Sequence, residues 1–111
     1  MTSHHKPLPR LLAICADDFG LSPGVSAAIA QLARTQRISA VSCMTNTPEW
    51  EPSAPMLTDL PSSVAIGLHI NLTDGRPLSP ELAAVWPSLP SLPMLMARSH
   101  LGLLPHEAIQ R

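Results

Sequence analysis

Short apolar runs alternate with helical patterns through the first seventy residues of the chain. Residues 11–16 (LLAICA), 39–46 and 64–70 have the length and apolar character of β-strands. The run at 11–16 contains no polar residue, which is typical of a parallel strand covered on both faces. An apolar stripe with a 3.6-residue period predicts a helix over 23–35, and a shorter helix is predicted within 50–60. This alternation predicts an α/β fold with a parallel sheet.

Terminal signals support the helix predicted at 23–35. Ser22 can cap its first turn, and Pro23 suits the first helical position. Arg34 and Arg37 lie near its other end, where positive charge interacts favourably with the helix dipole. We therefore expect a well-defined helix soon after the first strand.

The length of 111 residues limits the chain to one domain. We expect residues 1–10 to form a flexible N-terminus and residues 11–111 to form the domain. Most of the 13 prolines follow residue 47, and residues 74–105 are predicted to form a long, proline-rich, irregular excursion. The final PHEAIQR resembles the opening turns of a helix and carries no helix stop signal. We therefore expect the domain to be incomplete within this sequence.

Charge and composition exclude several classes of partner. The formal net charge is −1 and there is no basic tract, so we expect neither nucleic acid nor a membrane surface as a partner. No apolar run has the length of a membrane span, and residues 1–10 lack the apolar segment of a secretory signal. A cytoplasmic location is therefore predicted. Cys15 and Cys43 each lie in a predicted strand and are expected to be buried thiols.

Polar side chains follow two of the predicted strands at their carboxyl ends. Asp17 and Asp18 follow the first strand, and His69 is followed by Asn71 and Thr73 after the third. Ligands and catalytic groups gather at this edge of parallel α/β sheets, and carboxylate with imidazole is a suitable ligand set for a divalent ion. A bound cation would also stabilise two adjacent carboxylates that otherwise repel each other.

Structural explanations of the same residues remain open at this point. Either aspartate could serve only to favour the positive end of the following helix. His69 could be a hydrogen-bonded structural residue at a strand end. The other four histidines lie in the N-terminus or the proline-rich region and are interpreted as solvated or structural: His4, His5, His100 and His106.

Three sequence blocks, taken together, resemble a known family. The blocks ADDFGLSPGVSAAI, SAVSCMTN and AIGLHINLTDGRPL occur in this order over roughly residues 11–78. They are similar to the YdjC-like carbohydrate deacetylases, whose pattern is a strand ending in ADDFG, a strand with S…M.N, and then.G.H..LT.G.P. The combination is far more specific than any single block.

The resemblance implies a distorted (β/α) barrel related to TIM barrels and metal-dependent removal of acetyl groups from N-acetylated sugars. Carried over to this sequence, it implies that Asp17 is the catalytic base and that Asp18 and His69 are metal ligands. The implied cofactor is Mg²⁺, with Zn²⁺ or another divalent ion as the alternative. The family's third ligand, a histidine in a later histidine-rich segment, is not expected within this sequence.

A second hypothesis, in which the chain is not an enzyme, also remains open. In it the chain is a catalytically inactive half-barrel remnant that acts as an association module. An incomplete barrel leaves open sheet edges and an uncovered apolar face, which favour pairing with another copy as a homo-oligomer.

Overall fold

The computed structural model describes residues 9–110, in which three parallel strands form one open sheet of order β1-β2-β3. These strands are β1 (Cys15–Phe19), β2 (Ala40–Cys43) and β3 (Ala65–Leu68). The helices are α1 (Pro23–Arg34), α2 (Trp50–Ser53), α3 (Pro80–Val85), α4 (Leu92–His100) and α5 (His106–Ile109), with a 3₁₀ turn at Ala54–Leu57 after α2. The predicted α/β class and parallel sheet are confirmed. An open sheet is consistent with part of a barrel, and the barrel type stays a prediction.

The first strand begins later than the apolar run predicts. Residues 9–14 form no regular strand, while β1 includes both aspartates and ends at Phe19. Strand pairing sets the start of β1, because the first residue of β1 that pairs with β2 is Cys15, opposite Ala40. Leu11 is 99% exposed, so the prediction of a buried strand over 11–16 was wrong.

Helix α1 covers one face of β1 and β2 and forms the main core with them. The expected start is confirmed, since the Ser22 hydroxyl accepts a hydrogen bond from the Val25 N–H and Pro23 occupies the first turn. The core consists of side chains from α1, from both strands and from the segments that flank them: Phe19, Ile29, Ala30, Ala33, Ile38, Val41, Cys43 and Val64. Burial of these apolar side chains fixes the helix against the sheet.

The opposite sheet face and strand β3 are largely exposed. Cys15 and Asp17 alternate with the core residue Ala16, so they lie on the face that α1 does not cover. Cys43 is buried as expected, but Cys15 is exposed, so that part of the thiol prediction was wrong. All of β3 is exposed as well. The exposure of Cys15 and Asp17 contradicts the prediction that the first strand is covered on both faces.

The connection from β2 to β3 contains the predicted short helix in two pieces. Helix α2 ends at Ser53, and the 3₁₀ turn at Ala54–Leu57 continues the chain. Arg34 at the end of α1 reaches this connection: its Nε and Nη2 donate to the Asp59 carboxylate at 3.2 and 3.0 Å. The ion pair links α1 to the segment that leads into β3.

The proline-rich segment is more ordered than predicted. Residues 74–105 contain α3 and α4, and their serine caps precede proline in the first turn. Leu82, Trp86 and Leu89 form a second apolar cluster, against which the downstream helix α5 also packs. The guanidinium of Arg98 lies 5.4 Å from the centre of the Trp86 ring, a cation–π contact. Prolines therefore lie in the first turns of α3 and α4, where they are compatible with a helix.

Within residues 9–110, no helix has the length and apolarity needed to cross a membrane. The predicted flexibility of the N-terminus concerns mainly residues 1–8, which lie outside the described residues, as do His4 and His5. His100 and His106 are exposed, in agreement with their interpretation as solvated residues. The cytoplasmic location stays a prediction.

Candidate metal and catalytic site

A β-bulge in β1 makes the side chains of the adjacent residues Asp17 and Asp18 point in different directions. The register between β1 and β2 shifts between Ala16 and Phe19, and Asp18 has a φ of 67°. This left-handed conformation is uncommon outside glycine but is tolerated by aspartate and asparagine. Bulges of this kind often redirect a side chain next to a functional site. The backbone conformation of Asp18 therefore differs from that of a regular strand residue.

The turn after β1 brings the backbones of two loops into close contact. Gly20 has a φ of 97°, and a Cβ at this position would lie 2.8 Å from the Met44 carbonyl oxygen. Its N–H donates to the buried Ser26 hydroxyl at 3.0 Å, and its carbonyl accepts from the Thr47 hydroxyl. Only glycine fits this approach without displacement, so the conformation on the C-terminal side of Asp18 depends on Gly20.

Asp18 and His69 meet at the carboxyl edge of the sheet. His69 directly follows β3, where its backbone N–H donates to the Cys43 carbonyl at 2.8 Å. The Asp18 Oδ1 and the His69 Nδ1 are 3.1 Å apart, with side chains 46% and 34% exposed. Within residues 9–110 this Nδ1 is buried and has no hydrogen-bond partner. The structure thus brings together the two residues predicted as ligands.

The unpaired nitrogen and the facing carboxylate fit a shared cation. When the His69 Nδ1 carries no proton, its lone pair and the Asp18 carboxylate oxygen repel each other, and a cation between them would interact favourably with both. Two ligands at right angles about 2.1 Å from one octahedral ion are about 3.0 Å apart, and tetrahedral ligands are about 3.4 Å apart. The observed 3.1 Å lies within this range. Among residues 9–110, no three His, Cys, Asp or Glu side chains cluster as a complete ligand set.

Asp17 lies apart from the Asp18–His69 pair. It is exposed on the same sheet face as Cys15, whose thiol donates a hydrogen bond to its Oδ1 at 3.6 Å. Partial desolvation, this hydrogen bond and the negative charge of Asp17 raise the pKa of the Cys15 thiol. Asp17 does not line the cavity beside His69. Its role as a base stays a prediction.

An asparagine network holds the loop that carries His69. The Asn71 side-chain oxygen accepts hydrogen bonds from the Thr73 and Asp74 N–H groups, both at 3.1 Å. Its amide donates to the Asp74 carbonyl at 2.8 Å and to the Asn46 side chain at 3.2 Å. Asn71 and Thr73 therefore shape the loop. Asn46 was not among the site residues predicted from the sequence, although its place after β2 on the same sheet edge was a usable signal.

Three adjoining cavities follow this edge. The first cavity, of about 400 Å³, is lined by residues that include Asp18, His69 and the loop after β3. A joining cavity of about 170 Å³ shares His69 and Asn71 with it. A distal cavity of about 480 Å³ shares Asn46 with the joining cavity and extends toward Trp50.

Comparison with known proteins identifies the family. A sequence model described as YdjC-like protein matches residues 11–104, which is most of the chain. The chain belongs to the YdjC-like family. The resemblance seen in the sequence blocks is thereby confirmed, and the Asp18–His69 pair lies within the matched region of this YdjC-like chain.

Curated relatives of this YdjC-like chain carry deacetylase names. It is 37% identical over 73 residues to a chitooligosaccharide deacetylase of Proteus mirabilis (strain HI4320), covering 66% of this chain and 28% of that protein. It is 36% identical over 72 residues to a carbohydrate deacetylase of Geobacillus stearothermophilus, covering 65% of this chain and 29% of that protein. The matched region therefore spans less than a third of the length of either relative.

Proposed function

We propose that this YdjC-like chain carries part of the active site of a metal-dependent carbohydrate deacetylase, which removes acetyl groups from N-acetylated sugars. The single observation that supports this most strongly is the Asp18 Oδ1–His69 Nδ1 contact at 3.1 Å with the nitrogen unpaired among residues 9–110. The deacetylase names of the relatives support the substrate class.

Asp18 and His69 would hold the divalent ion. We propose Mg²⁺, with Zn²⁺ as the alternative, since a mixed carboxylate and imidazole set suits both ions. When bound, such an ion supplies Lewis acidity and lowers the pKa of a coordinated water. Among residues 9–110 these two side chains are not joined by a third His, Cys, Asp or Glu, so we expect the ion to bind weakly.

Asp17 is proposed as the general base. Its carboxylate is exposed and next in sequence to Asp18, so it is accessible to a water molecule and to substrate at the sheet edge. Asp17 would take the proton from that water as the water attacks the acetamide carbonyl carbon. The Cys15 thiol, which donates to Asp17 Oδ1, would limit the rotation of this carboxylate. Strand β1 would then supply the base and one ligand, and the residue after β3 would supply the second ligand.

Metal binding tests the proposal without requiring turnover. We expect calorimetric titration with Mg²⁺ or Mn²⁺ to detect weak binding that the double variant Asp18→Asn/His69→Gln abolishes. The matched control is His106→Gln/Glu107→Gln, which removes the same two chemical groups from exposed positions in α5. Equal metal binding by both double variants would show the ligand assignment to be wrong.

The variant Asp17→Asn tests whether Asp17 acts as a general base or as a metal ligand. Asp17→Asn should leave metal binding within about twofold of the wild type, because Asp17 does not line the cavity that contains Asp18 and His69. In any form of the protein that releases acetate from a chitooligosaccharide, Asp17→Asn should lower the rate of release by about two to four orders of magnitude. Loss of metal binding in Asp17→Asn would reassign it as a ligand.

We propose self-association as a second candidate, in which an inactive half-barrel pairs with another copy. Ile66 and Leu68 on strand β3 are 53% and 63% exposed, which is unusual for apolar strand residues. Sedimentation analysis should then show a concentration-dependent dimer that Ile66→Lys weakens. A monomer at all concentrations would remove this candidate.

A further inference from the structure

One polar side chain interrupts the apolar inner face of α1. Four residues of this helix are buried: Ser26, Ile29, Ala30 and Ala33. Ser26 is 0% exposed, and burial of its hydroxyl costs free energy unless a hydrogen bond compensates for it. Alanine has nearly the same size and a higher helix propensity, so neither packing nor helix formation explains a serine at this position. The hydroxyl of Ser26 therefore needs a different explanation.

Both backbone polar groups of Gly20 bond to side-chain hydroxyls. The Ser26 hydroxyl accepts from the Gly20 N–H at 3.0 Å, and the Thr47 hydroxyl donates to the Gly20 carbonyl. Within residues 9–110 neither group of Gly20 has a backbone partner. Since Gly20 is buried, an unpaired N–H or carbonyl there would be costly. Ser26 from α1 and Thr47 from the loop after β2 therefore hold Gly20 from two sides.

Gly20 lies in the tight turn that begins at Asp18. The Leu21 N–H donates to the Asp18 carbonyl at 3.0 Å, and the Met44 N–H donates to the Phe19 carbonyl at 2.8 Å. Asp18 itself has a φ of 67°, a conformation that a residue other than glycine keeps only where the surrounding contacts enforce it. The contacts of this turn are therefore among those that enforce the φ of Asp18.

We propose that Ser26 and Thr47 are positioning residues for Asp18, which keep its carboxylate facing His69 through their bonds to Gly20. The inference rests on the proposed function, in which Asp18 and His69 hold a divalent ion. It adds two residues that, in the described part of the chain, make no hydrogen bond to either ligand side chain.

Loss of either hydroxyl would act on the ion through the backbone. One polar group of Gly20 would lack its partner, and the turn would change conformation to pair that group again. Asp18 would then return to the negative φ of a regular strand residue, which is the conformation of lower energy. Its carboxylate would turn away from His69, and the ion would lose one of its two ligands.

Thr47 offers a pair of variants that separates its hydroxyl from its shape. Thr47→Val keeps the branched side chain and removes the donor, whereas Thr47→Ser keeps the donor and removes a methyl group. Mn²⁺ is titrated into the 111-residue chain, and binding is followed by the paramagnetic broadening of the His69 NMR signals. We expect Thr47→Val to weaken Mn²⁺ binding about fivefold to tenfold, which corresponds to one hydrogen bond. Thr47→Ser should bind within about twofold of the wild type.

Ser26→Ala tests the same turn from the other side of Gly20. It removes the acceptor with almost no change in volume, and it should weaken Mn²⁺ binding by about the same factor as Thr47→Val. Two controls remove hydroxyls that do not bond to Gly20. Thr58→Val removes a donor to the Pro55 carbonyl, and Ser53→Ala removes the hydroxyl of another buried serine. Both controls should bind Mn²⁺ as the wild type does, even where they lower the stability of the fold.

The outcomes separate this inference from the proposed function. Unchanged Mn²⁺ binding in either Thr47→Val or Ser26→Ala would overturn the positioning role and leave the ligand assignment intact. Equal weakening in Thr47→Ser or in the two controls would do the same, because the effect would then not depend on the hydroxyls that hold Gly20. Absence of Mn²⁺ binding by the wild-type chain would overturn both, since the ligand pair itself would then be wrong.

Discussion

The amide nitrogen of Asn71 lies 3.2 Å from the Asn46 side-chain oxygen and joins the loop after β3 to the loop after β2. Each loop begins where its strand ends, so this one bond connects two neighbouring strand ends. Because His69 lies two residues before Asn71, the bond also limits the movement of the imidazole relative to β2.

Asn71→Ala should therefore destabilise the fold and loosen the site. It removes the acceptor for the Thr73 and Asp74 N–H groups as well as both amide donations, and we expect a loss of about 1–3 kcal/mol in unfolding free energy. Denaturant unfolding measures the change. Asn71→Asp keeps the acceptor and removes only the donors, so its loss should be smaller. Equal losses for both variants would contradict a role for Asn71 as an acceptor within the turn.

The positive φ of Asp18 predicts an uncommon order of stability among its variants. Asp18→Gly should be at least as stable as the wild type without metal, because glycine adopts φ 67° freely. Asp18→Ala should be about 1–2 kcal/mol less stable than Asp18→Gly, since alanine is strained in this region. Thermal unfolding in the presence of a chelator measures both. Equal stabilities would mean that the backbone relaxes away from the bulge.

Replacement by alanine should have opposite effects on stability at Gly20 and Gly24. Gly20→Ala should cost about 1–3 kcal/mol, because its Cβ would lie 2.8 Å from the Met44 carbonyl oxygen at a φ of 97°. Gly24→Ala, in the first turn of α1 with open space around it, should stabilise by about 0.4–1 kcal/mol. Chemical denaturation of the two variants side by side tests the close contact at Gly20. Similar effects at both positions would argue against it.

The Arg34–Asp59 ion pair predicts a dependence of stability on pH. The hydrogen bond from Arg34 holds the pKa of Asp59 below its ordinary value of 3.8. Folding therefore favours the ionised carboxylate, so the stabilisation is present above pH 3.8 and is lost as pH falls through the lower pKa of the folded state. The stability gap between wild type and Asp59→Asn should shrink in acid, as measured by unfolding across this range. Since both side chains are exposed, 1 M salt should also narrow the gap at neutral pH. A gap that is constant with pH would contradict the ion pair.

Local signals predicted helix α1 well, whereas strand pairing decided where β1 begins. Ser22 and Pro23 specify the start of α1 through contacts within one turn, so the sequence alone was sufficient. The start of β1 depends on Ala40, which is distant in sequence, and no pattern within residues 11–16 reveals where partners begin. The helices between 74 and 105 were missed because prolines were read as breakers, whereas in α3 and α4 they occupy first turns.

The ligand pair could be anticipated, but its geometry could not. Parallel strands place Asp18 and His69 at one edge, which follows from topology alone. The bulge that turns Asp18 toward His69 depends on a φ of 67° at Asp18. No residue of the ADDFG block predicts this positive φ from the sequence alone. Asn46 was missed for a related reason, since its importance arises from a bond to Asn71 across two loops.

The exposed thiol two residues before Asp17 gives the molecule an intrinsic chemical reporter. Cys43 is buried, so a thiol-selective fluorophore or spin label would attach at Cys15 without prior engineering. Its raised pKa keeps most of the group protonated at neutral pH, which slows labelling and makes the rate sensitive to the charge beside it. Neutralising Asp17, or placing a cation nearby, would speed the reaction. Labelling kinetics could therefore follow the electrostatics of this sheet face in real time, in the absence of any substrate.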